Sequence, residues 1–144
     1  MSAWPIHARF DGPIIMIGFG SIGRGTLPLI LRHVDGDPAR ITIIDPDDTH
    51  RQMIESAGVN FVHEAVLENN FRDLLTPLLT AGPGRAFMVN LSVDVSSVAM
   101  MELCKDTNAL YIDTVAEPWL GFYTDTSLSV SESCLLYTSP SPRD

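Results

Sequence analysis

The sequence predicts an α/β fold, a doubly wound parallel sheet with helices on both faces, from three observations. Short charge-free apolar runs at 14–17, 41–44, 86–91 and 110–112 read as strands buried on both sides. Segments of helical length separate them, which calls for right-handed crossovers between parallel strands. The first run breaks at once into Gly18-x-Gly20-x-x-Gly23, and the second ends in Asp45. Together these give a Rossmann-type arrangement with strand order 3-2-1-4-5. Its ligand crevice lies where the chain reverses direction, outside the ends of strands one and four.

Taken in order, residues 1–12 are a lead-in without periodicity, from which Trp4 and Phe10 are available to pack on the sheet edge or on further chain. After strand one each glycine has a task. Gly18 allows the tight turn, Gly20 lets a pyrophosphate approach the backbone, and Gly23 lets the helix pack on the strand. The amides near Ser21 and Ile22 then face the phosphates, and the helix dipole behind them adds about 0.3–1 kcal/mol. The first helix runs from Ser21 to His33 with Ile22, Leu27, Ile30 and Leu31 apolar and a kink expected at Pro28. Asp45 stands about 20 residues beyond the last motif glycine, where a carboxylate accepts hydrogen bonds from the adenosine ribose. Its alternative role is to open the turn Asp45-Pro46-Asp47-Asp48. A 2′-phosphate there would meet a like charge, at about 4 kcal/mol per pair at 4 Å and an effective dielectric of 20, so NAD is favoured over NADP.

Residues 47–57 read as a helix with Gly58 as C-cap, and 59–63 as the third strand. Asn69 or Asn70 caps a helix that continues through Pro77 to about Leu79. Strand four spans 85–91, and a helix over 95–106 turns Val95, Val98, Ala99 and Leu103 inward. Strand five spans 110–113.

This topology gives the loops after strands four and five to the nicotinamide half of the ligand. They are Asn90-Leu91-Ser92-Val93-Asp94 and Thr114-Val115-Ala116-Glu117-Pro118-Trp119. Asp94 either N-caps the next helix or faces ligand. Asn90 and Ser92 either bond the ribose or carboxamide or simply close the turn. Glu117 offers a carboxylate to a cationic substrate, and the Trp119 face adds a cation–π attraction of about 0.5–2 kcal/mol. The alternative is a solvated Glu117 beside a core Trp119.

The chain of 144 residues has room for one domain, and its 45% hydrophobic content is enough to fill a core. A net charge of −9 disfavours nucleic acid and suits a cationic ligand. No apolar run approaches a membrane span, and the start lacks a signal-peptide core, so a cytoplasmic location is expected. Two cysteines without motif spacing and four histidines without local partners suggest neither a disulfide framework nor a metal site. The run 134–144 resembles the translation of a transposase-type sequencing adapter, its alternative being a native Pro/Ser tail. The organisation expected is therefore a nucleotide-binding domain over 1–123, an unassigned segment over 124–133, and a tail over 134–144 outside a truncated fold.

Three blocks carry a more specific likeness. Residues 12–30, with Ile17-Gly18-Phe19-Gly20-Ser21-Ile22-Gly23-Arg24-Gly25-Thr26-Leu27-Pro28, residues 89–97, and residues 110–123, with Asp113-Thr114-Val115-Ala116-Glu117-Pro118-Trp119, resemble bacterial homospermidine synthase. That family is similar in architecture to saccharopine dehydrogenase, and the likeness covers residues 4–123. It implies an enzyme that joins two putrescines with release of ammonia, NAD being recycled as hydride carrier. It assigns Gly18, Gly20, Ser21, Ile22, Gly23 and Asp45 to the cofactor, Ser92, Asp94 and Thr114 to the nicotinamide side, and Glu117 and Trp119 to substrate. It also implies a homodimer in the full-length protein, and proton-transfer residues in a second domain, so that this chain alone is expected to be inactive. Rival readings are a saccharopine-type amino-acid dehydrogenase, a non-catalytic NAD sensor, and a methyltransferase with a similar glycine loop.

Overall fold

The protein is described by a computed structural model over residues 4–125, 127 and 129. The tail assignment for 134–144 lies outside the described residues. In chain order the elements are β1 (Ala8–Arg9), β2 (Ile14–Ile17), α1 (Ser21–His33), β3 (Val34–Asp35), β4 (Ile41–Asp45), α2 (Arg51–Ser56), β5 (Asn60–His63), α3 (Phe71–Leu79), β6 (Phe87–Asn90), α4 (Ser97–Asp106) and β7 (Leu110–Asp113). Short 3₁₀ turns occupy Pro38–Arg40 and Phe122–Thr124.

The main sheet is parallel throughout and runs β5-β4-β2-β6-β7. This is not the numbering expected from the sequence, because seven strands rather than five form among the described residues. The two extra ones, β1 and β3, pair in a separate ribbon with Ala8 opposite Val34 and Arg9 opposite Asp35. Counted without them, the core strands stand in the order third, second, first, fourth, fifth. The ribbon is tied to the end of α1, where the His7 amide donates to the His33 carbonyl at 2.7 Å. His33 Nδ1 lies 2.8 Å from the Pro5 carbonyl.

Alternation along β2 splits the core in two. Ile15 and Ile17 join Ile44, Met88, Leu75, Leu79, Met100 and Leu103 beneath α3 and α4. Ile14 and Met16 join Ile43, Val89, Leu27 and Ile54 beneath α1 and α2. Phe10 reaches the second cluster and its ring lies 6.1 Å from that of Phe87. β7 is an edge strand, and on the α1 side its Leu110 and Ile112 are exposed.

Several expectations need correction. The helix expected over 47–57 begins only at Arg51. Asp45 and Asp47 accept from the amides of Asp47 and Thr49, at 2.8 and 2.9 Å, and these local bonds hold the backbone in turns. The helix expected at Val95 begins at Ser97, so its phase moves. Met100, Leu103 and Cys104 are buried, whereas Val98 points outward at 61% exposure. Ile22 is likewise exposed. Asn70 is the N-cap of α3 but bonds backward, accepting from the Leu67 amide and donating to the Ala65 carbonyl. α1 continues through Pro28, which cannot donate to the Arg24 carbonyl one turn back.

Candidate functional site

The turn after β2 is built by close backbone contacts. Gly18 takes a left-handed conformation, φ +88°, and its amide donates to the Ile44 carbonyl at 2.9 Å. A Cβ on Gly18 would lie 3.0 Å from the Ser92 amide nitrogen, so the glycine turn and the loop after β6 touch. A Cβ on Gly23 would lie 2.8 Å from the Gly18 carbonyl oxygen, which is the expected close helix–strand packing. Gly20 differs. A Cβ there would meet nothing within 4 Å, so no packing in the described fold demands glycine at that place.

Gly20 is also the N-cap of α1, with no side-chain cap and no acidic residue in the first turn. The first intrahelical bond at this end runs from the Arg24 amide to the Gly20 carbonyl at 3.0 Å. The amides of Ser21, Ile22 and Gly23 therefore precede the ladder and point out of the helix start. The Arg24 guanidinium folds over this turn, with Nε 3.4 Å from the Gly20 carbonyl and Nη2 3.4 Å from Ser21 Oγ. Its positive charge beside an open helix start was missed in the sequence, although it directly follows the last motif glycine.

Asp45 takes the turn role read for it and also bonds the glycine turn. Its Oδ2 accepts from the Phe19 amide at 2.5 Å, and its Oδ1 accepts from the Asp47 amide at 2.8 Å. Phe19 is itself buried, so the glycine turn is pinned to the end of β4. A carboxylate oxygen has a second acceptor direction, which leaves Asp45 able to receive ribose hydroxyls. Open space over one glycine, free amides behind it and a fixed carboxylate alongside fit a dinucleotide.

The loops after β6 and β7 hold a second constellation. Asn90 is buried at the end of β6, where its Oδ1 accepts from the Ser92 amide at 3.2 Å. Its Nδ2 donates to the Val95 carbonyl at 3.5 Å and the Tyr111 hydroxyl at 3.4 Å. The Tyr111 hydroxyl donates to Asp113 Oδ2 at 2.9 Å, and burial above all pushes this phenol up to about 12. Asp94 does not cap α4. Ser96 does, accepting from the Ala99 amide at 3.3 Å. Asp94 instead takes φ +62° and its carbonyl accepts from the Leu120 amide at 3.2 Å. Thr114 is exposed just beyond β7.

Glu117 and Trp119 line a groove of about 760 Å³ between the start of α4 and residues 116–125. Glu68 and Asp125 add carboxylates, while Val98, Met101, Leu120 and Phe122 give it apolar walls. Trp119 is half-buried, its ring 5.4 Å from Phe71, so it belongs to both core and groove. The groove includes none of the glycine-turn residues. The structure thus brings Gly18 to Ser92 and Phe19 to Asp45, and places Glu117 with Trp119 in a separate hollow. Asn90 and Tyr111 bridge the two through the paired strands β6 and β7. Among the described residues no group of three His, Cys, Asp or Glu side chains is placed to hold a metal ion, and no helix is long and apolar enough to cross a membrane.

Residues 14–138 match the family described as the saccharopine dehydrogenase NADP binding domain. The chain belongs to this family. Within the saccharopine dehydrogenase NADP-binding group, the chain is 60% identical over 128 residues to a homospermidine synthase of Blastochloris viridis, covering 89% of this chain and 27% of that protein. It is 60% identical over 122 residues to one of Mesorhizobium japonicum, covering 85% and 25%. The chain therefore spans about a quarter of the length of the curated relatives it matches. Among solved structures it is similar to a homospermidine synthase of Legionella pneumophila in complex with NAD. The TM-score is 0.72, with 29% identity over 78% of this chain and 24% of that one.

Proposed function

We propose that this chain is the NAD-binding part of a homospermidine synthase, an enzyme joining two putrescines into homospermidine with release of ammonia. The observation that carries the reading is the 60% identity over 128 residues to a homospermidine synthase, a span long enough to take in both the glycine turn and Glu117. NAD, when bound, supplies a hydride acceptor that is restored within the same turnover. Gly20 clears room for its pyrophosphate, the amides of Ser21, Ile22 and Gly23 bond the phosphates, and Arg24 adds positive charge. Asp45 receives the adenosine ribose and repels a 2′-phosphate, which favours NAD although the family description names NADP. Ser92, Asp94 and Thr114 flank the nicotinamide side. Glu117 pairs with a substrate ammonium and Trp119 offers its ring face, both at the apolar-walled groove that suits a methylene chain. The enzyme is proposed to work in the cytoplasm as a homodimer, with the proton-transfer groups outside this chain. The test is to incubate the full-length gene product with putrescine and NAD and to assay homospermidine and ammonia. Formation of both is expected, and absence of both overturns the assignment.

A further inference from the structure

A buried polar chain runs behind Glu117, and neither the cofactor nor the substrate assignment uses its members Ser97, Tyr111 and Asn90. Ser97, at 3% exposure, holds both main-chain polar groups of Glu117: its amide donates to the Glu117 carbonyl at 2.7 Å, and its Oγ accepts from the Glu117 amide at 3.0 Å. The same Oγ donates to the Val115 carbonyl at 3.3 Å. Behind Ser97 stands the Tyr111 hydroxyl, which is also bonded to Asn90 and Asp113. Asn90 in turn holds the Ser92 amide, and Ser92 abuts Gly18. A hydrogen-bonded path therefore leads from Ser92, which packs against the glycine turn, to the loop carrying Glu117.

We propose that Ser97 and Tyr111 are positioning residues that set the Glu117 carboxylate toward the substrate amine. The inference rests on the reading above that Glu117 meets that amine. A loop of this kind has no regular ladder to fix it, so its backbone groups need partners on neighbouring elements. Ser97 supplies them from the first turn of α4, whose own cap is provided separately by Ser96. The hydroxyl of Ser97 is thus free for the loop. Tyr111 stands behind that hydroxyl as an acceptor, its own proton being given to Asp113, so the one Ser97 proton is shared between the Val115 carbonyl and the Tyr111 oxygen.

The test compares the full-length protein with its Ser97→Ala, Ser97→Thr and Tyr111→Phe variants. KM for putrescine and the Kd of NAD are measured for each, with a melting curve. Ser97→Ala is expected to raise KM for putrescine about tenfold, the size of one lost hydrogen bond to the loop, and to leave NAD affinity unchanged. Ser97→Thr, which keeps the hydroxyl, is expected to recover most of that loss, and Tyr111→Phe to show a smaller rise of about threefold. A KM unchanged in Ser97→Ala and Tyr111→Phe overturns the proposal, as does a loss that falls equally on NAD binding. Should Ser97→Ala not fold, Tyr111→Phe decides alone. Wild-type turnover in parallel separates the two levels: no product there refutes the function and this inference with it, whereas normal turnover insensitive to the variants refutes the positioning role only.

Discussion

Alanine replacement at the three motif glycines should give three different outcomes, and Gly20 is the decisive one. A Cβ at Gly20 meets no protein atom within 4 Å, and its φ of −67° is ordinary for any residue. Gly20→Ala should therefore cost no more than the exchange of a fair N-cap for a poor one, about 1 kcal/mol. The same methyl group occupies the space that the proposed function gives to the pyrophosphate. Displacing the phosphate from two amides, at about 1.5–3 kcal/mol for each charge-assisted bond, weakens NAD binding by roughly a hundredfold or more. Gly23→Ala places a Cβ 2.8 Å from the Gly18 carbonyl and 3.1 Å from the Phe19 ring. Overpacking of about 1–3 kcal/mol there exceeds a helix-propensity gain of about 1 kcal/mol, so this variant should melt early. Gly18→Ala has to hold φ +88°, costing about 1–2 kcal/mol, and also crowds the Ser92 amide. Melting curves with and without NAD, together with a fluorescence titration of NADH, read both quantities on the full-length protein. If Gly20→Ala binds as tightly as wild type, no phosphate sits over that glycine. If it melts as early as Gly23→Ala, the residue is structural and the ligand reading loses its ground.

The remaining expectations are briefer. Asp45→Asn should weaken NAD binding and shrink the preference for NAD over NADP by up to about a thousandfold, the equivalent of about 4 kcal/mol of like-charge repulsion; a preference unchanged in paired titrations removes Asp45 from cofactor choice. The Tyr111 phenol, at about 12 in the fold against 10.0 ordinarily, retains a proton that the unfolded chain has lost, so stability should fall as pH rises between these values. Denaturant melts across that window should show a shallower fall in Tyr111→Phe, and identical slopes would refute the burial argument. Ile112→Lys, placed on the exposed side of edge strand β7, should raise the soluble yield of the 144-residue chain expressed alone; unchanged yield would clear that face as an association surface.

Much of this architecture was legible because its signals are local. The glycine turn, α1 from Ser21 to His33 and β7 from Leu110 to Asp113 lie where apolar runs and punctuating residues put them. Legibility failed where a side chain competes with the backbone for hydrogen bonds. Asp45 and Asp47 delay α2 in this way, and Ser96 takes the cap for which Asp94 is the sequence candidate, shifting α4 in phase and turning Val98 out into the groove. The two-residue strands β1 and β3 are too short to carry any period. The Asn90–Tyr111–Ser97 path was invisible for a different reason: its members are neighbours only through the pairing of β6 with β7 and the packing of α4. One signal was nonetheless available. A tyrosine inside a short core strand needs a partner for its hydroxyl, and the polar residues within reach stand at the ends of those same strands.

Asp45 shows why the two readings of a site residue need not exclude each other. Read as a turn former, it should bond the Asp47 amide, and it does, at 2.8 Å. Read as a ribose acceptor, it should be held in place before ligand arrives, because a carboxylate that has to be ordered on binding gives back rotamer entropy. The 2.5 Å bond from the Phe19 amide supplies that hold, and it reaches across 26 residues to the glycine turn itself. The same bond therefore fixes the glycine turn and the Asp45 carboxylate, the proposed phosphate and ribose contacts, relative to one another. A carboxylate so tied would be unable to swing away from a 2′-phosphate, and that is the physical basis on which the proposed function has this turn residue choose between the two nicotinamide cofactors.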